Sequence, residues 1–161
     1  MSTSSSSSSS IMLDAYITLV EAEDYFETYR LETLVWDSAT ENNKVKALNM
    51  STCLIDTLNF LGTKTDSTQA HQFPRNQDTE VPTDIKRACA ELAYELLDDV
   101  NPNYEMENLI VTQQTYANVR ITRDTGSAPI HLIHGIPSAT AWKLLSPYLY
   151  DPNTISVVRV S

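Results

Sequence analysis

"VPTDIKRACAELAYELL" (residues 81–97) decides the fold of this chain. Proline is tolerated in a first helical turn, so Pro82 opens a helix. Ile85, Ala88, Cys89, Leu92 and Leu96 then recur at three and four, which is one apolar stripe of an α-helix. Its last residues run into "DDVNP", setting Asp98 and Asp99 at the negative end of the helix dipole. These two form a candidate acidic surface: two solvated carboxylates or, in the sharper reading, a contact for a basic partner.

Working back from Val81, residues 62–82 lose all periodicity. Connections beyond roughly 12–15 residues are usually functional or disordered, so this loop draws notice. It holds "AHQFPRN" (70–76). Phe73, Pro74 and Arg75 are read as a building element: proline fixes the exit of the loop, Phe73 packs on the helical body, and Arg75 pairs with a carboxylate or carbonyl, or reaches a neighbouring subunit. His71 reads as a lone surface hydrogen-bonder.

Two more helices precede the loop. In "ITLVEAEDYFETYR" (17–30), Thr18 and Glu21 have capping-box spacing, Ile17 sits where a hydrophobic staple would, and Ala22, Tyr25, Phe26 and Tyr29 mark one face. In "WDSATENNKVKALNMSTCLIDTLNF" (36–60), Ser38 and Glu41 suggest a second box. Val45, Leu48, Thr52 and Ile55 give one stripe, and Ala47, Leu54, Leu58 and Leu61 an adjacent one, so this helix is expected to pack on two sides. Cys53 and Cys89 both read as core thiols.

Beyond Pro102, "NLIVTQQTYANVRIT" (108–122) reads as one or two strands, "SATAWKLLSPYL" (138–149) as a short helix curtailed near Pro147, and "TISVVRVS" (154–161) as a strand-like tail. The expectation is a mainly α protein: a helical bundle of three to four helices with a C-terminal arm of short strands and one short helix. Its divisions are a serine-rich tail (1–15), a helical body (16–99) and an arm (100–161) that docks a partner.

Chemistry is hard to find. His131 and His134 lie three apart, but the flanking Pro129, Gly135 and Pro137 argue against a helix, and zinc wants three or four ligands. No nucleophile elbow, P-loop or dinucleotide fingerprint occurs, and 3 glycines leave little material for one. Glu21, Glu23 and Asp24 read as capping charge, and Lys86 and Arg87 as a solvated face. The expectation is no enzyme, no catalytic, metal or cofactor-binding residue and no cofactor. Net charge is −10, with 11 basic residues scattered among 21 carboxylates, which disfavours a nucleic-acid groove. No apolar run reaches membrane-spanning length and the start lacks a secretion-signal pattern, so the expectation is a soluble protein made in a cytoplasm.

The order of features resembles the phage head–tail connector (head-completion or adaptor) proteins. It is especially similar to phage sequences labelled DnaT-like single-stranded-DNA-binding proteins. The likeness runs through "YITLVEAEDYF", "WDSATENNKVKALNMSTCLID", Phe73-Pro74-Arg75, Val81-Pro82 and "PSATAWKLLSPYL…VVRV". It covers about 16–161; that group usually carries Trp where this chain has Phe73, and 103–135 match only loosely. The connector resemblance implies a virion protein at the head–tail neck: a ring of usually twelve copies beneath the portal that seals the exit and docks a tail or nozzle protein. Genomic DNA would pass through without specific binding, past an acidic wall that repels phosphate. Trp142, Tyr148, Tyr150, Val157, Val158 and Arg159 are then candidate contacts to the portal or a neighbouring copy. The alternative is the literal label, a single-stranded-DNA-binding protein in phage replication, which needs a basic groove with exposed aromatics.

Overall fold

Thr18 starts the first helix by satisfying two orphan backbone groups at once. In the computed structural model, which describes residues 11–101, 113–116, 119–122 and 129–150, its Oγ1 accepts from the Glu21 N–H at 3.2 Å and Glu21 Oε2 accepts from the Thr18 N–H at 2.9 Å. The capping box therefore forms, with Ile17 buried just ahead of it. Helix α1 (Leu19–Tyr29) buries Ala22 and Phe26. Tyr25 is half-buried and Tyr29 exposed, so the inward stripe is narrower than the spacing suggested.

A short helix, α2 (Leu34–Ser38), follows and buries Trp36 against Phe26, with ring centroids 4.6 Å apart. It displaces the second capping box. Ser38 ends α2, its hydroxyl donating to the Val35 carbonyl, and the cap of α3 (Glu41–Asp56) is Thr40, which accepts from the Asn43 N–H. Val45, Ala47, Leu48, Thr52 and Ile55 face inward from α3, whereas Leu61 beyond it is exposed. Cys53 is exposed as well, correcting its reading as a core thiol, because it falls on the outer face of α3.

Helix α4 (Thr83–Leu97) is the centre of the molecule, capped by Pro82 itself. Ile85 and every residue from Ala88 to Tyr94 are buried. A helix covered on most sides needs neighbours all round it. It has them: α3 on one side, α1 and α2 beside it, and α6 (Ala139–Leu145) on another. Ala88, Ala90 and Ala93 keep its surface low enough for close approach. Cys89 lies within this core, and burial pushes its thiol up to about 12, which keeps it inert.

Between α4 and α6 come an antiparallel pair, β1 (Gln113–Tyr116) and β2 (Val119–Thr122), and one helical turn, α5 (Ile130–Ile133). That turn corrects the argument against helix around His131. Pro129 occupies the cap, where its missing N–H goes unmissed, and Gly135 lies just past the end with φ +74°. The chain is mainly helical. Ile136, Ala141 and Leu145 belong to the same core as the N-terminal helices, so the described part of 129–150 is built into the body. No helix among the described residues is long and apolar enough to cross a membrane.

Candidate functional site

Phe73, Pro74 and Arg75 meet three other segments at one junction. The Phe73 ring is buried edge-on against Phe60 (4.7 Å), Tyr16 (5.9 Å) and Tyr148 (5.9 Å). Each lies in a different part of the chain: the exit of α3, the strap before α1, and the 3₁₀ turn after α6. Aromatic pairs prefer such edge-to-face geometry, and Phe73 is the residue that all three share.

Arg75 is buried beside it, and all its N–H groups are used. Nε donates to the Leu61 carbonyl at 2.8 Å. One terminal nitrogen donates to the Phe60 and Gly62 carbonyls at 3.1 and 2.5 Å. The other donates to the Gln72 carbonyl and side-chain oxygen at 3.3 and 2.9 Å. Guanidinium suits this work because it is a rigid fork of five donors. The strip that it grips, 60–62, also pairs with the C-terminal part of the fold. The Leu61 N–H donates to the Tyr148 carbonyl at 2.8 Å, and the Tyr150 N–H to the Asn59 carbonyl at 2.9 Å. Gly62 completes the strip at φ +76°, and a Cβ there would collide with the Asn76 carboxamide.

His71 ties in the strap. Its Nδ1 is 2.7 Å from Asp56 Oδ2 and its Nε2 is 2.9 Å from Asp14 Oδ1. Burial works against the charge, but hydrogen bonds and attraction to Asp14 and Asp56 outweigh it, so the imidazole is held above its ordinary value of 6.5. Asp56 also accepts from the Tyr16 hydroxyl and from the Gln72 N–H. Burial and the Asp56 carboxylate push the Tyr16 hydroxyl up, so it stays protonated. The lone histidine of the sequence reading is the middle of a network. No residue pattern announces it, since its members are up to 57 residues apart.

This arrangement fastens segments together. Among the described residues, no group of His, Cys, Asp and Glu could hold a metal ion. His131 Nδ1 contacts the Ile136 carbonyl oxygen at 2.8 Å, and the His134 ring stacks on Trp142 at 5.2 Å. The remaining sequence candidates do not gather at one place. Trp142 and Tyr148 are half-buried, and Tyr150 is exposed just after the junction. Asp98 and Asp99 are exposed at the end of α4, Asp99 at φ +59°. Val157, Val158 and Arg159 lie outside the described residues.

Most of the described basic side chains have partners within the chain. Arg30 pairs with the buried Glu91, which also accepts from the Tyr25 hydroxyl, and its guanidinium lies 3.5 Å from the Tyr94 ring centre. Lys44 pairs with Glu23 at 3.1 Å and Lys86 with Glu21 at 2.7 Å. The Lys86 ammonium and the Thr18 N–H hold the Glu21 carboxyl down at about 2. Arg87 sits over the Tyr29 ring at 4.8 Å, so this pair is more engaged than a merely solvated face. Lys64 donates to the Gln69 carbonyl. Among the described residues, Lys46 and Lys143 are exposed and have no partner.

A family described as "Putative DnaT-like ssDNA binding protein" matches residues 7–160. The match spans nearly the whole chain, and the chain belongs to that family. It supports the DnaT-like part of the resemblance and is silent on head–tail connectors. No curated protein and no solved structure matches the chain.

Proposed function

We propose that this family member is a protein-binding assembly module, and specifically a head-to-tail adaptor whose copies form a ring beneath a phage portal. In that role it seals the DNA exit, docks a tail or nozzle protein, and lets the genome pass without gripping it. One observation carries the reading: Arg30, Lys44, Arg75 and Lys86, which a nucleic-acid groove would need free, are bound to carboxylates and carbonyls of their own fold. With net charge −10, that leaves few free basic groups among the described residues to displace counterions from a phosphate backbone. The ring, its usual twelve copies and its place in the virion neck come from the connector resemblance alone.

A second reading is the one that the family description names, single-stranded-DNA binding. The comparison favours it over the adaptor, and the exposed Tyr29 beside Arg87 offers it one aromatic–cation pair.

Fluorescence anisotropy of a labelled oligonucleotide, titrated with the full chain at about 50 and 200 mM salt, separates them. The adaptor reading expects no saturable binding at either salt. Binding that weakens steeply between the two concentrations overturns it in favour of the second reading. In an infected culture lacking the gene, normal DNA synthesis with empty or tailless heads is the matching result for an adaptor.

A further inference from the structure

We infer that residues 12–15 of the strap are a latch on the body, with Tyr16 as its hinge. The latch is shut while His71 carries a proton on both ring nitrogens and opens when one proton leaves. The inference goes beyond the assembly reading and holds under either function.

The strap reaches the body through side chains. The Asn49 carboxamide holds it at two points, accepting from the Asp14 N–H at 2.8 Å and donating to the Met12 carbonyl at 3.0 Å. Further along, Thr52 Oγ1 accepts from the Tyr16 N–H at 3.1 Å. Asn49, Thr52 and Asp56 all belong to α3, so the strap can lift while that helix keeps its own backbone bonds. The hold is uneven. Met12 is 86% exposed and the Asp14 side chain 76%. Tyr16 is buried, and its hydroxyl accepts from the Gln72 N–H at 2.9 Å while donating to Asp56.

Three titratable groups face the imidazole: Asp14 and Tyr16 from the strap and Asp56 from α3. Among the described residues, no lysine or arginine pairs with either carboxylate. The imidazolium donates to both. A neutral imidazole has one N–H, so one carboxylate must then face a ring lone pair. The Asp56 side chain is 23% exposed and can turn to water less readily than Asp14. The remaining proton therefore stays on Nδ1 toward Asp56, and the lone pair falls to Nε2, toward Asp14. Asp14 gives way because solvent takes it up. Tyr16 stays, held by Asp56, by the Gln72 N–H and by the Phe73 ring. Opening moves the point at which the chain leaves the body from Met12 to Tyr16. Despite burial, the two carboxylates hold the imidazole above its ordinary 6.5, so the latch is shut below that value and loosens as pH rises through the folded one.

The test follows exchange of backbone amides with water by NMR, in the ¹⁵N-labelled full chain, between about pH 6 and 8.5. Each rate is divided by the intrinsic rate at the same pH. Protection of the Asp14 N–H is expected to fall by about two- to fivefold across that range. The Tyr16 and Gln72 amides, and Leu92 and Ala93 in the core, should keep theirs. His71→Gln cannot titrate and should make the Asp14 protection independent of pH. Should that variant fold poorly, Asp14→Asn, a change at an exposed position, should also flatten the fall, because a carboxamide there can donate to the ring lone pair. Constant Asp14 protection in the parent chain overturns the inference. So does an equal fall at Tyr16, which would mean that the whole network opens together, or a fall that persists in both variants.

Discussion

The loop around Phe73–Arg75 is polar in sequence and tied down, while the corner between α1 and α2 leaves large apolar side chains exposed. In the loop, Arg75 donates to the carbonyls of Phe60, Leu61, Gly62 and Gln72, and the Asn76 N–H donates to the Thr63 carbonyl at 2.9 Å. At the corner, Leu31 is fully exposed, and Tyr29 and Leu34 are mostly so. Order in the loop comes from hydrogen-bond accounting. Buried carbonyls need donors, and one long side chain supplies them. Exposure at the corner follows from geometry, since Trp36 and Phe26 turn inward against each other and Tyr29, Leu31 and Leu34 point away from them. The first region is built to hold its own chain. The second leaves apolar side chains in solvent.

The sharpest way to break this comparison is to remove the arginine. Arg75→Ala strips the donors from carbonyls that stay buried, and unmaking charged hydrogen bonds to them should cost about 3–4 kcal/mol. Urea denaturation followed by far-ultraviolet circular dichroism would read this as a lower midpoint with little change of slope. Arg75→Lys should recover only a part, because an ammonium cannot span the same fork. A loss under about 1 kcal/mol would mean that the loop is held by Phe73 packing and that the carbonyls find water.

Much of the helical body was legible from local rules. The capping box at Thr18 and the stripe on α4 are set by neighbours in sequence, and both form. What local rules missed has a physical pattern. The Ser38–Glu41 spacing was correct for a cap, but Trp36 needed burial and drew residues 34–38 into a helix of their own, moving the cap to Thr40. Cys53 and Tyr29 failed for the converse reason: an apolar residue on a helix is buried only where another element covers that face. At the junction, residue type suggests packing for Phe73 and leaves Arg75 a carboxylate, a carbonyl or a neighbouring subunit; within the chain it takes carbonyls and the Gln72 side-chain oxygen. The His71 network could not, because Asp14, Tyr16 and Asp56 come together only through the fold.

A smaller effect tests whether that network closes the strap. With carboxylates at both ring nitrogens, only the doubly protonated imidazole donates to each. A histidine whose folded value is raised contributes stability that is fully present below its ordinary 6.5 and is lost as pH rises through the folded value. Stability should therefore fall from about pH 6.5 upward through neutrality by less than about 1 kcal/mol, since Asp14 is well exposed and solvent screens it. His71→Gln should flatten that part of the profile, measured as denaturation midpoint against pH. An unchanged slope in the variant would show that the network adds no charge-dependent hold on residues 14–16.

The smallest expected effect on the fold is at the open corner, and there the contrast between the two regions becomes one about function. Leu31→Ser removes a side chain that contacts little of its own chain, so stability should stay within about 0.5 kcal/mol of the parent. If the corner is surface left for a partner, the same change should lower the yield of complete particles when the variant replaces the parent gene. If the chain instead binds single strands, particle yield should follow DNA synthesis and Leu31→Ser should alter neither. Serine at Leu31 is the informative choice because it leaves net charge alone. Any effect then reports lost apolar contact rather than an altered field around an already acidic molecule. A destabilised Leu31→Ser chain would show that the corner is covered within its own fold, and the division between a region that holds itself and a region that offers itself would fail at its second half.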